Sequence, residues 1–196
     1  MTPPLERYLS AGLTYDAVGG TRTGAVPPGY HRLSRRFLLG AAAEAPVPDR
    51  AAGTGQSAAP DLMSRAADAV LTFGMHRAAG MRVAASAPRA APGVTLVGSV
   101  GAGPLRMVAP CRVVWAVEPG PGVTRAGFGY GTLPGHPERG EEAFTVSWEA
   151  GGQVWFTVQA FSQAACWYSR LGGPVVPVLQ SLWAARCAAS LRRLAS

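Results

Sequence analysis

The chain has 196 residues, of which 48% are hydrophobic and 15% are charged, and its net charge is +7. This apolar content can offset the ordering entropy of one compact domain, so it excludes a wholly disordered chain. No segment approaches the roughly 20 consecutive apolar residues of a membrane span. The apolar run after Arg35-Arg36 is too short, and too far from Met1, for an export signal. We therefore expect a cytoplasmic protein.

The basic residues and the cysteines also limit the possible partners. All 18 basic residues are arginine, and no run is longer than the pairs at 35–36 and 192–193. Nucleic-acid binding favours a clustered basic face with interleaved aromatics, so we expect no nucleic-acid partner. Cys111, Cys166 and Cys187 lie far apart without a CxxC spacing. That pattern favours buried small hydrophobes over a disulfide framework or a zinc site, and we expect neither a metal nor a cofactor.

The first third of the sequence predicts an arm, a strand, an insertion and a helix. Residues 1–29 are predicted to form an N-terminal arm, and residues 30–196 a single α+β domain. Tyr30–Leu39 has the composition of a strand. The Ala-, Gly- and Pro-rich segment at about 41–60 is predicted to be a flexible insertion. Apolar residues at helical spacing then predict a helix over Pro60–Ala79, with Gly80 as its stop.

The rest of the chain predicts an antiparallel sheet followed by one long helix. Apolar spacing predicts the helix from about 174 to 194; at 1.5 Å per residue it spans about 30 Å, enough to cross a sheet. Gly/Pro-rich connections between the strands are short, which favours antiparallel pairing. The predicted strands are Arg82–Ser86, Thr95–Val100, Arg106–Val108, Arg112–Val117, Arg125–Leu133, Ala143–Trp148 and Val154–Phe161.

One of these strands has side chains on a single face. Alternate residues at 127, 129 and 131 are glycine, and the residues between them are Phe128, Tyr130 and Thr132. Successive strand residues point to opposite faces, so the glycines leave one face bare. A bare face either accommodates a ligand or lets another part of the chain approach. The alternatives are a ligand cavity and packing of the C-terminal helix there, with Trp183 filling the space.

Several sequence words resemble one uncharacterised family. They are YDAVGGTR at 15–22, GYHRL at 29–33, MHRAAG at 75–80, PCRVVW at 110–115, the stretch 127–144, WFTV at 155–158 and AFS at 160–162. The family is known as domain of unknown function nineteen-ninety, or uncharacterised protein family five-four-eight, and is found in bacteria and plants. The resemblance covers nearly the whole chain except the insertion at about 41–60, and it brings no established activity.

The element order is also similar to the helix-grip architecture of the START and pollen-allergen-like superfamily. The resemblance implies a curved antiparallel sheet with one N-terminal-side helix and a long C-terminal helix packed across it. Such folds often enclose an apolar cavity between the sheet and the last helix. This is an analogy of fold, which does not by itself imply a function.

Two groups of ionisable residues are candidates for proton transfer. His136 lies with Glu138, Glu141 and Glu142 on the turn-rich segment 134–142, which otherwise reads as a solvated hairpin loop. Glu142 directly precedes a predicted strand and is expected to turn inward toward Tyr130.

His76 lies at the end of the first long helix. A cation there interacts favourably with the helix dipole, which is the plainer interpretation. If His76 faces the sheet instead, it is the best single candidate for a general base.

The leading hypothesis is a protein that binds a small apolar or amphipathic ligand in a cavity between the sheet and the C-terminal helix, without chemistry. One alternative is an enzyme that uses His136 or His76 with Glu142 for acid–base chemistry. Another is a module that presents the 134–142 loop to a protein partner. The residues predicted to line or gate the cavity are Tyr130, Thr132, Trp155, Gln159, Arg112 and Glu142.

Overall fold

The computed structural model describes residues 5–41, 58–103, 106–165 and 175–196. Within these ranges, seven strands form one antiparallel sheet in the order β1-β7-β6-β5-β4-β3-β2. The predicted fold class, an α+β protein built on a curved antiparallel sheet, is confirmed. The strands are β1 His31–Ala41, β2 Arg82–Ala85, β3 Thr95–Val100, β4 Met107–Val117, β5 Arg125–Thr132, β6 Glu138–Trp148 and β7 Gln153–Ala164.

The helices are α1 Gly20–Thr23, α2 Ala58–Leu71, α3 Gly74–Ala78 and α4 Val175–Ala195 within the described ranges, after a 3₁₀ turn at Leu5–Tyr8. No helix in this part of the chain is both long enough and apolar enough to cross a membrane.

The single helix predicted over Pro60–Ala79 is wrong, because the chain breaks between α2 and α3. Phe73 has a φ of 59°, in the left-handed region that L-residues rarely adopt. Its ring is fully buried and meets the ring of Phe128 edge to face at 5.5 Å. Burial of this aromatic side chain thus accompanies the break, which turns α3 toward the sheet.

Two strand boundaries also differ from the prediction. The two strands predicted over 106–117 are one strand, because Pro110 stays in the ladder and its carbonyl accepts from the Leu133 amide at 3.0 Å. Strand β6 begins at Glu138, so most of the predicted 134–142 loop is sheet. Gly140 makes this possible, because its φ is 145° and a Cβ there would overlap the backbone carbonyl of Phe161 on β7.

Helices α2, α3 and α4 cover one face of the sheet, called here the helix face. Helix α2 packs over β5, β6 and β7, while α4 packs against α2, α3 and strand β1. Cys111 and Cys187 are buried there as free thiols, as predicted; Cys166 lies outside the described residues. The predicted insertion at about 41–60 lies mostly outside them too. The large apolar side chains that fill this core include Leu71, Phe73, Met75, Phe128, Phe144 and Phe156.

The N-terminal segment lies on the opposite side of the sheet, called here the outer face, where it covers Gly131 of β5, while Trp115 of β4 covers Gly129. A Cβ at Gly131 would overlap the Tyr15 hydroxyl, and one at Gly129 would overlap the Trp115 indole nitrogen. The expectation that α4 packs on these glycines is therefore wrong. Trp183 of α4 lies on the helix face, 6.5 Å from the ring of His76.

Candidate functional site

Three polar side chains meet on the helix face and are called here the interior polar site: His76 of α3, Tyr130 of β5 and Glu142 of β6. Tyr130 and Glu142 are cross-strand partners, and the tyrosine hydroxyl donates to Glu142 Oε2 at 2.7 Å. The His76 ring lies 6.3 Å from that of Tyr130 and 4.6 Å from that of Phe144. The expected inward turn of Glu142 toward Tyr130 is present in this arrangement.

His76 faces the sheet because of the break at Phe73. In the short helix that follows, Met75 and His76 are fully buried, whereas Arg77 is exposed and donates to the Thr72 carbonyl at 2.7 Å. Arg77, and not His76, is therefore the cation that interacts favourably with the end of a helix.

The buried imidazole of His76 has no hydrogen-bond partner among the described residues at either ring nitrogen. Desolvation, together with the nearby charge of Arg77, lowers the pKa of His76 to about 3. The ring is thus neutral near pH 7 and offers one donor and one acceptor. Leaving a buried polar group unpaired costs about 1–3 kcal/mol, so this ring calls for an explanation.

Glu142 is only partly buried, yet its surroundings disfavour the charge. Burial raises its pKa to about 7, against the opposing effect of the Tyr130 hydrogen bond, and the charge of Glu138 adds to the rise. The thiols of Cys111 and Cys187 lie nearby; burial and then the charge of Glu142 raise their pKa values. Both thiols are therefore protonated at neutral pH and are poor nucleophiles.

The remaining candidates near the β5–β6 turn are held by local hydrogen bonds. His136 Nδ1 accepts from the Glu138 amide at 3.0 Å, and burial lowers the pKa of His136 to about 4. Thr132 Oγ1 bonds Thr14 Oγ1 at 2.6 Å and accepts from the Gly140 amide at 3.0 Å. These contacts close the turn and attach the N-terminal segment to it. Within the described ranges, His, Cys, Asp and Glu side chains form no cluster of three that could hold a metal ion.

Three predicted cavity residues lie on the outer face, away from Tyr130 and Glu142. Arg112 donates to the carbonyls of residues 8, 9 and 11, at 2.6 to 2.9 Å, and fixes the N-terminal segment. The Arg36 guanidinium lies over Trp155, with its carbon 4.6 Å from the centroid of the indole ring. Gln159 Oε1 accepts from Arg125 at 2.9 Å. The six predicted residues therefore do not share one cavity, because the strand period places them on both faces.

The role of Glu141 is not predicted from the sequence; this residue is buried on the outer face with 2% of its surface exposed. Five uncharged donors surround its carboxylate. Oε2 accepts from the Tyr15 hydroxyl and the Gly19 amide, both at 2.7 Å, and Oε1 accepts from the Thr21 amide at 3.0 Å, the Thr21 hydroxyl and Trp115 Nε1 at 3.3 Å. Glu141 and the four residues that donate to it are called here the Glu141 cluster.

A β-bulge completes the Glu141 cluster. The register of β4 against β5 shifts between Val113 and Trp115, so the indole lies on the outer face although Val113 packs in the helix-face core. Glu141 and Glu142 are adjacent in β6, so the strand period places them on opposite faces once the strand is known to begin at Glu138.

The architecture is a fold of the helix-grip type: a curved antiparallel sheet with a long C-terminal helix. Residues 14–190 match the family described as Domain of unknown function (DUF1990), and the chain belongs to that family. The family resemblance inferred from the sequence is thereby confirmed.

Relatives support the same assignment. A UPF0548 protein of Deinococcus radiodurans is 51% identical over 71 residues, which cover 36% of each chain. A UPF0548 protein of Arabidopsis thaliana is 40% identical over 63 residues, or 32% of this chain and 31% of its own length. The matched stretches thus span about a third of these relatives.

A solved structure is also similar to this chain. The structure of the hypothetical protein jhp0584 from Helicobacter pylori has a TM-score of 0.57 at 10% identity, covering 95% of this chain and 100% of its own. At that identity the likeness is one of fold alone.

Proposed function

We propose that the protein binds a small, largely apolar molecule bearing one hydrogen-bonding group, and that this group is held at the interior polar site. The observation that carries the proposal is the fully buried His76, whose two ring nitrogens have no partner among the described residues. A ligand hydroxyl or amide would pair with one nitrogen of the neutral imidazole, either by accepting from the N–H or by donating to the unprotonated nitrogen. This relieves an otherwise unfavourable burial.

The surroundings of His76 suit an apolar ligand body. Aromatic rings of Phe128, Phe144 and Trp183 lie within 6.5 Å of the imidazole, measured between ring centroids. Ligand sites combine such apolar walls with a few polar groups that fix orientation. Tyr130 and Glu142 supply the second polar group, on the neighbouring strands.

Binding requires α4 to move, because side chains of the described residues occupy the space between it and the sheet. Gln180 of α4 donates to Glu138 Oε2 at 3.0 Å and to Ser162 Oγ at 3.3 Å, which ties the helix to β6 and β7. Trp183, one turn further along, is partly exposed and approaches His76. We infer that a ligand enters between this part of α4 and β6, where Glu142 is also partly exposed.

An acid–base enzyme is the second candidate, and the pKa of Glu142 favours it. A carboxyl group with a pKa of about 7 beside a tyrosine hydroxyl can both take up and release a proton at neutral pH. His76, with a pKa of about 3, is a weak base there. Any such chemistry would therefore run through Glu142, with His76 orienting the substrate.

The test uses the full chain and the neutral fluorescent probe N-phenyl-1-naphthylamine. We expect saturable fluorescence enhancement and competition by 1-decanol. His76→Leu replaces the imidazole with an apolar side chain and so removes both nitrogens. Decanol should then compete roughly tenfold less well, as expected for one lost hydrogen bond. His31→Leu, at an exposed position of β1, is the matched control and leaves competition unchanged.

Absence of probe binding, or equal decanol competition in the wild type and His76→Leu, contradicts the proposal. Native mass spectrometry of protein purified from its own host then tests for a co-purified molecule, whose composition identifies the ligand.

A further inference from the structure

The outer face contains a cavity that has no part in the interior polar site. Its volume is about 220 Å³, below the range of about 300–1,000 Å³ typical of pockets for drug-sized ligands. It therefore suits a small molecule. The residues that line it are Arg22, Trp115, Val117, Arg125, Ala126 and Thr145.

Two arginines from different elements line this cavity. Arg125, at the start of β5, is held by Gln159 Oε1 at 2.9 Å and Thr145 Oγ1 at 3.4 Å, and both contacts use Nη2. Arg22 comes from α1, next to Thr21, whose amide and hydroxyl are fixed in the Glu141 cluster. The sheet thus orients one arginine and the Glu141 cluster fixes the backbone beside the other.

The charge at the cavity is not balanced by acidic groups. None of the six lining residues is acidic. Elsewhere, Arg36 pairs with Glu149 at 2.6 Å, and Arg89 pairs with Glu118 at 2.7 Å. In the described part of the chain, Arg22 and Arg125 have no such carboxylate partner.

The floor of the cavity is apolar. Trp115 contributes its indole, whose nitrogen is turned away into the Glu141 cluster, donating to Thr21 Oγ1 at 3.0 Å and to Glu141 Oε1 at 3.3 Å. Val117 follows two residues later on the same strand face. The carboxylate of Glu141 is nearby, but it is buried and accepts from five donors, none of which is an arginine.

We propose that this cavity binds a small organic anion, with a carboxylate or phosphate head between Arg22 and Arg125 and an apolar body on Trp115 and Val117. Guanidinium groups suit such heads because their planar N–H groups can pair with two oxygens at once. The apolar floor distinguishes this site from a patch that attracts any anion.

The test is isothermal titration of the full chain with benzoate and with phenyl phosphate, using neutral benzamide as the matched probe. Saturable binding of either anion without comparable binding of benzamide supports the proposal, and the tighter anion identifies the head group. Arg22→Gln and Arg125→Gln should each weaken binding roughly tenfold or more, the value of a lost charge-assisted hydrogen bond. Near-ultraviolet circular dichroism checks that each variant keeps its fold.

Arg82→Gln is the control, because it removes the same charge at an exposed position of β2 that does not line the cavity. Its affinity should stay within about twofold of the wild type, since Arg82 does not line the cavity and salt screens the interaction of exposed charges. The proposal is overturned if neither anion binds saturably, if benzamide binds as tightly as benzoate, or if Arg82→Gln weakens binding as much as Arg125→Gln.

Discussion

Replacing Glu141 by glutamine is the most direct test of how the outer face is held together. Glutamine keeps the shape of the side chain but replaces one oxygen by an NH₂ group. If the nitrogen takes the place of Oε2, it faces the Gly19 amide, and if it takes the place of Oε1, it faces the Thr21 amide. Either way a donor meets a donor, whereas the Tyr15 hydroxyl can rotate and accept.

The expected cost follows from the number of bonds affected. A hydrogen bond to a charged group contributes about 1.5–3 kcal/mol, and at least two are lost or inverted, so we expect Glu141→Gln to cost about 3–6 kcal/mol. Small domains have a free energy of unfolding of about 5–15 kcal/mol, so the loss is a large share of the total.

The measurement is urea unfolding at pH 6, followed by tryptophan fluorescence, together with hydrogen exchange of the Gly19 and Thr21 amides. Glu142→Gln is the matched control: its carboxyl has a pKa of about 7 and is mostly protonated at pH 6, so glutamine resembles it. We expect that control to change the free energy of unfolding by less than about 1 kcal/mol. If Glu141→Gln costs no more than the control and both amides stay protected, the reasoning is refuted.

Two further predictions concern the helix face and the outer face. Between pH 6.5 and about 3, the unfolded chain protonates His76 but the folded chain does not, so the free energy of unfolding decreases as the pH is lowered. Relative to His76→Leu, the wild type should lose about 1.4 kcal/mol for each pH unit of acidification. Equal slopes for the two proteins, in urea titrations at several pH values, would contradict the burial of His76. On the outer face, Gly131→Ala should cost about 1–3 kcal/mol because its Cβ overlaps Tyr15. It should cost less in a Tyr15→Leu background; additive losses in the double-mutant cycle would exclude that overlap as the cause.

Most of the sheet was predictable because period-two alternation and Gly/Pro turns are local signals. The break at Phe73 was not, since an aromatic residue in a left-handed conformation has no sequence signature and follows from the packing of its ring. The extent of β6 was missed for a related reason, because Gly140 reads as a turn residue until the close approach of β7 is known.

The candidate site was predictable only in part. That Tyr130 shares a face with Glu142 depends on the register of β5 against β6, whereas strand period alone places Glu141 and Glu142 on opposite faces of a strand that contains both. The strand period does not say which face the helices cover, and so Trp155, Gln159 and Arg112 were assigned to the wrong side. Which segment fills the outer face depends on contacts across more than a hundred residues, and no local pattern records them.

The separation between the two halves of the Glu141 cluster also has a consequence during protein synthesis. Tyr15 and Glu141 are 126 residues apart in sequence. At about 5–20 residues per second, the N-terminal segment emerges roughly 6 to 25 seconds before the carboxylate that it surrounds. Throughout that interval Tyr15 and the backbone of Gly19 and Thr21 have no native acceptor. Closure of the outer face is therefore a late event during synthesis, and Tyr15 reaches its final place only after the much later Glu141 has been made.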